Sequence, residues 1–98
     1  MAIQSFKNQG TEDINYGRVS RHALRILPQE LHQKAQVKLA RLSASSNLQD
    51  LRTLPGNRFE AFKGNRKGQY SIRINDQYRI CFQWEKEHAM AVEITDYH

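Results

Sequence analysis

The sequence predicts an α+β fold: a small antiparallel sheet of about four to five strands, packed on one face against N-terminal α-helices. A change of period predicts it. Apolar residues recur at helical spacing as far as Leu42, and from Tyr70 onward they recur at every second position. Length is the second observation, since 98 residues with 39% hydrophobic and 26% charged content fit one globular domain over residues 1–98. A domain of that size buries roughly 60–65% of its unfolded surface.

Residues 1–6 are short and apolar enough for an opening strand, and residues 8–16 read as a turn or short helix. Leu31, Ala35, Leu39 and Leu42 stand at i, i+4, i+8 and i+11, one stripe of a helix, which Leu24 and Leu27 extend backwards. Pro28 lacks an N–H and disfavours helix at Leu27, so it begins the main helix, with a shorter helical turn from about Ser20 ahead of it. Cap and turn formers in residues 43–47 end the helix. After the turn Pro55-Gly56-Asn57, residues 58–63, 69–75, 78–84 and 89–95 form a four-segment meander. Its inward face is Tyr70, Ile72, Ile74, Tyr78, Ile80, Phe82, Trp84, Met90, Val92 and Ile94. Ser71, Arg73, Arg79, Cys81, Gln83, Ala91 and Glu93 point the other way.

The formal net charge of +5 is the balance of two basic segments, residues 18–41 with six basic groups and one acid and residues 52–79 with seven and two, against a net −5 in the rest of the chain. A small basic domain meets anionic partners, with nucleic acid first among them. Lys34, Lys38 and Arg41 form a stripe opposite the apolar face of the helix. That stripe either grips RNA phosphates, docks a protein partner, or is a solvated helix face. The single cysteine, Cys81, excludes an internal disulfide framework, and no apolar run approaches the roughly 20 residues that cross a bilayer. Residues 1–10 hold no hydrophobic signal core, which points to the cytoplasm and to no membrane partner.

No glycine-rich phosphate loop is present, because Gly64 and Gly68 lack a following Lys-Ser/Thr and a helix. The histidines at 22, 32, 88 and 98 have no metal-ligand spacing with one another or with Cys81. An enzyme of this sequence would therefore work without metal or cofactor.

The outward face of the meander carries the chemistry. Period two sets Arg73 and Arg79 side by side on neighbouring strands, on the solvent side, where two guanidiniums repel unless an anion bridges them. A phosphate would do so, and Arg66 and Lys67 in the adjoining loop would widen the anion site; alternatively Glu60 or Glu93 neutralises the pair. Glu60 on the same face is a candidate base. Asp96, Tyr97 and His98 follow the last strand, anchored by Ile94, and negative charge around the imidazole of His98 favours its protonated form. His98 is then a proton donor near neutral pH, or else a frayed tail beyond a Tyr97 that covers the core edge.

The run Leu54-Pro-Gly-Asn-Arg58, Phe62-Lys-Gly64, Gly68-Gln-Tyr-Ser-Ile-Arg-Ile-Asn75, Tyr78-Arg-Ile-Cys-Phe82 and the closing Asp96-Tyr-His98 resembles the HigB branch of the RelE/ParE toxin superfamily over nearly the whole chain. The resemblance implies a bacterial toxin of RelE-like fold, neutralised by a HigA-type antitoxin, that cleaves mRNA on the ribosome and inhibits translation. It further implies a monomeric free toxin, a heterotetrameric toxin–antitoxin complex, and operator DNA reached only through the antitoxin.

By position, the family's strand arginine matches Arg79, the basic residue after its first meander strand matches Lys63, and its terminal catalytic group matches Asp96, Tyr97 and His98. One position departs: many HigB proteins have histidine where this chain has Glu60, and YoeB-like toxins have glutamate there. The implied reaction is in-line attack of a ribose 2′-oxygen on the adjacent phosphate. Glu60 would be the base and His98 the acid, with Arg79, Arg73 and Lys63 stabilising the developing charge and Tyr97 stacking on a base or sharing proton transfer. Two rivals share the fold, a ParE-like gyrase inhibitor and a non-enzymatic RNA-binding module.

Overall fold

The computed structural model describes residues 2–96. Four helices come first: α1 (Gln9–Asn15), α2 (Arg21–Ile26), α3 (His32–Ala44) and α4 (Leu48–Thr53). The strands follow as β1 (Glu60–Ala61), β2 (Gln69–Arg73), β3 (Tyr78–Glu85) and β4 (His88–Asp96). They form one antiparallel meander in the order β1-β2-β3-β4, the α+β arrangement that the period change predicts.

Local chemistry starts three of the helices. The side chains of Asn8, Ser20 and Asn47 accept from the N–H groups of Thr11, Ala23 and Asp50, which satisfies donors that have no partner within the helix. Pro28 begins a 3-10 turn, Gln29–Leu31, and α3 follows directly from it. Helix α4 is not among the sequence expectations, because it is one short turn pair that buries a single apolar residue, Leu51.

Ile72, Ile80, Phe82, Val92 and Ile94 from the sheet bury against Ile14, Ala23, Leu27, Ala35, Leu39, Leu42 and Leu51 from the helical layer. At roughly 25 cal/mol per Å² of apolar surface removed from water, these contacts dominate the stability of the domain. The Thr11 hydroxyl accepts from the Ile94 N–H at 3.0 Å, tying α1 to β4. Asp13 joins α1 to the start of α2. The Ser20 hydroxyl donates to one of its oxygens at 2.6 Å, and Gln9 and Arg18 donate to the other at 2.8 and 3.0 Å. These contacts, the Ser20 hydrogen bond first, hold its carboxyl below the ordinary value.

Three expectations need correction. The opening strand is reduced to two isolated parallel bridges, Ile3 with Ala89 and Phe6 with Val92, which cover the outer edge of β4. Leu24 is 46% exposed, because α2 is separate from α3 and turns Ala23 inward instead. Met90 is not a core residue. Cys81 pairs with Glu93 but Gln83 pairs with Met90, so Ala91 and Val92 together face Phe82 in a β-bulge. Ala91 takes φ +51° and gives its N–H to the Ser5 hydroxyl at 2.9 Å. The extra residue shifts the alternation, so Ala89 is buried and Met90 is left half-buried. Among the described residues, no helix is long and apolar enough to cross a membrane.

Candidate active site

Strand register places Glu60, Ser71, Cys81 and Glu93 in one row across all four strands, on the face away from the helices. The adjoining row holds Arg73, Arg79 and Thr95. The two arginines are thus direct cross-strand partners, as the alternation predicts.

Their side chains part company. The Arg73 guanidinium folds to the Asp76 carboxylate in the β2–β3 turn. Arg79 bends back to the first row, where its Nε donates to the Ser71 Oγ at 2.8 Å and its Nη2 donates to the Arg58 carbonyl. Its Nη1 lies 3.7 Å from the Glu60 Oε1. Glu60 therefore neutralises Arg79, whereas Glu93 pairs with Lys7 at 3.5 Å.

Arg79 is not on open solvent: the residue is only 6% exposed. Period two gives the face on which a side chain starts, but the segment before β1 folds over that face and presents the Arg58 carbonyl, with Arg58 at φ +43°. Cys81 is buried as well, beneath a depression of about 110 Å³ lined by Lys7, Gln69, Gln83 and Glu93. Burial pushes its thiol above the ordinary value, opposed by the nearby Arg66. That proximity brings Arg66 to the row as the sequence expects. Its guanidinium stacks 4.1 Å above the Phe62 ring and donates to the Gln69 Oε1 at 3.3 Å. Lys63 and Lys67 flank the same 3-10 turn, Gly64–Arg66, and both are exposed.

The helical stripe is broken. Lys34 and Arg41 are exposed, but Lys38 is 7% exposed, its Nζ donating to the Asn57 Oδ1 at 2.8 Å. The loop after α4 folds back over α3 and covers it. Burial, followed by the charges of Arg41, Lys34 and Arg73, pushes the amine below its ordinary value.

Asp96 pairs with Tyr78 at the end of β4, and its Oδ2 accepts from the Gln77 Nε2 at 2.9 Å. The last described residue thus stands opposite the residue before Arg79 on the neighbouring strand. Tyr97 and His98 lie outside the described residues.

A family model for the RelE-like toxin of the type II toxin-antitoxin system HigB matches residues 4–98. The chain belongs to this toxin family. Toxin HigB-1 of Vibrio cholerae serotype O1 is 44% identical to it over 84 residues, covering 86% of this chain and 84% of that protein. Solved structures share the fold. A chain of the YoeB-YefM complex from Staphylococcus aureus matches with a TM-score of 0.61 at 23% identity, covering 98% of this chain and 94% of its own. The YoeB/ParE toxin from Agrobacterium tumefaciens matches with a TM-score of 0.59 at 12% identity over the whole of both chains.

For this HigB-family toxin the structure adds two groups that sequence reading passes over, the Ser71 hydroxyl and the Arg58 carbonyl. Ser71 is legible in the sequence as a small polar side chain on the outward face, two residues before Arg73. A backbone carbonyl has no sequence signal.

Proposed function

We propose that this toxin is an endoribonuclease that cleaves mRNA on the ribosome, without a metal ion, and that a HigA-type antitoxin neutralises it. One observation carries the reading: a guanidinium fixed by Ser71 and Arg58 stands 3.7 Å from a carboxylate that is itself 46% exposed. Both lie on the face of the sheet away from the helices, in a chain of the HigB toxin family.

Cleavage at a ribose needs a base to take the 2′-proton, a cation to hold the charge that builds on the phosphoryl oxygens, and an acid for the departing 5′-oxygen. Glu60 takes the proton as the 2′-oxygen bonds to phosphorus. Arg79 holds the developing charge, and because its guanidinium is already fixed, little reorganisation is needed at the transition state. His98 gives its proton to the 5′-oxygen as the P–O bond breaks, leaving a 2′,3′-cyclic phosphate and a 5′-hydroxyl. Tyr97 and Asp96 serve as its neighbours, Tyr97 by stacking or sharing the proton. Arg73, held by Asp76, moves from the reacting centre to the rim, and Lys63, Arg66 and Lys67 steer the phosphates. Lys34 and Arg41 remain exposed cations for ribosomal RNA.

The partners follow from the same reading: a free monomer, a heterotetramer with the antitoxin, operator DNA contacted through the antitoxin alone, and action in the cytoplasm. The test is to incubate the purified chain with programmed ribosomes and with naked mRNA and to map new 5′ ends by primer extension. Cuts confined to ribosome-bound mRNA and lost on deletion of His98 are expected. An intact message would overturn the reading in favour of gyrase inhibition or simple RNA binding.

A further inference from the structure

Of the basic residues that the sequence offers for RNA binding, Lys38 is the one that the nuclease reading leaves without a task, and it is buried. Its partner Asn57 is fully buried and is tied down at every polar group. The Asn57 Oδ1 accepts from Lys38 at 2.8 Å, its Nδ2 donates to the Leu51 carbonyl at 3.1 Å, and its own carbonyl accepts from the Arg73 N–H at 2.6 Å. Its N–H reaches the Leu54 carbonyl at 3.4 Å. The next residue, Arg58, takes φ +43°, a conformation that an L-residue holds only where its surroundings enforce it. Phe59 is held in turn between the Tyr70 ring, 5.5 Å away, and the Arg52 guanidinium, 4.9 Å away. The strained residue between these two anchors is the one whose carbonyl receives Arg79, and Glu60 follows two positions later.

We infer that Lys38 and Asn57 are positioning residues for the reaction: the buried Lys38–Asn57 bond latches the segment before β1, so that the Arg58 carbonyl and Glu60 hold Arg79 in its working geometry. This rests on the nuclease reading and goes beyond it. The amine does not touch RNA; it acts from the helical layer through one asparagine and one carbonyl. Burial among Lys34, Arg41 and Arg73 makes the site costly for an ammonium. Its retention there fits a group whose long stem and donor are needed at that spot.

The experiment measures single-turnover cleavage of mRNA at rising concentrations of programmed ribosomes for the wild type, Lys38→Met and Lys38→Arg. Displacing a reacting group by about an ångström can lower the rate roughly a hundredfold. Lys38→Met should therefore lower the maximal rate roughly tenfold to a hundredfold while the half-saturating ribosome concentration stays nearly constant. Lys38→Arg, which keeps a cationic donor, should recover most of the rate. An unchanged maximal rate in folded Lys38→Met overturns the inference, as does a change confined to the half-saturating concentration, which would place Lys38 on RNA.

A second readout is independent of activity. By NMR, the Arg79 Nε–Hε proton should be protected from solvent exchange in the wild type and lose protection in Lys38→Met, or in Asn57→Ser if the first variant does not fold. Unchanged protection overturns the latch even if the wild type cuts nothing, whereas a wild type that cuts nothing with the predicted loss of protection overturns only the nuclease reading.

Discussion

Replacing Arg79 with alanine should unfold the protein more readily as well as silence it. The side chain supplies two close hydrogen bonds, to the Ser71 Oγ at 2.8 Å and to the Arg58 carbonyl, and Ser71 is fully buried. Hydrogen bonds from a charged donor contribute about 1.5–3 kcal/mol each, and a buried acceptor left without a donor carries its full desolvation cost. Allowing for water entering the vacated space, the loss is about 3 kcal/mol. For a domain of about 100 residues, each kcal/mol lowers Tm by about 4 °C or more, so the midpoint should fall by roughly 12 °C or more. Glu60→Gln weakens the 3.7 Å contact with Arg79 of a side chain that is 46% exposed, and the loss of that ion pair should cost at most about 1 kcal/mol. Urea titration followed by the fluorescence of Trp84, the only tryptophan, measures both. A loss below about 1 kcal/mol for Arg79→Ala would refute the buried placement, because a solvated guanidinium holds nothing together. The activity of this variant must accordingly be assayed where it remains folded.

Other expected outcomes follow from single sites. Because the Asp13 carboxyl lies below its ordinary value in the folded chain, its contribution is complete above about pH 4 and is lost as pH falls further. Asp13→Asn should therefore be less stable at pH 7 and lose less stability between about pH 4 and pH 2 than the wild type does, as read by thermal melts across pH. A Cβ at Gly10 would stand 2.6 Å from the His22 carbonyl oxygen and 2.8 Å from the Ile26 Cδ1; Gly10→Ala should force α1 from α2 and lower stability by about 1–3 kcal/mol in urea. Ala91 holds φ +51°, so Ala91→Gly should raise stability by about 0.5–1 kcal/mol, with an unchanged or lower midpoint arguing against the bulge.

Much of the core was legible because its periods are clean. Ala35, Leu39 and Leu42 on α3, and Ile72, Ile80 and Phe82 on the sheet, are all buried where spacing places them. Met90 was misplaced because no glycine or proline marks the bulge at Ala91, and one inserted residue reverses everything before it. Lys38 was misplaced because helical period assigns lysine to solvent, and only the fold-back of the loop after α4 makes an amine useful inside. At the site, alternation correctly put Glu60, Arg73 and Arg79 on one face and paired the arginines across two strands. It could not show that Arg73 would turn to Asp76, or that Arg79 would thread back under the Arg58 carbonyl. Long side chains choose partners three-dimensionally, and alternation records only the face from which they start.

The most direct measurement is primer extension on mRNA from programmed ribosomes, comparing the wild type with Glu60→Gln, a variant expected to keep its fold. Ribosome-dependent cuts in the wild type that fall by roughly a hundredfold or more in Glu60→Gln are the expected result. Undiminished cutting by the variant would remove Glu60 as the base, and no cutting by the folded wild type would contradict the nuclease function itself.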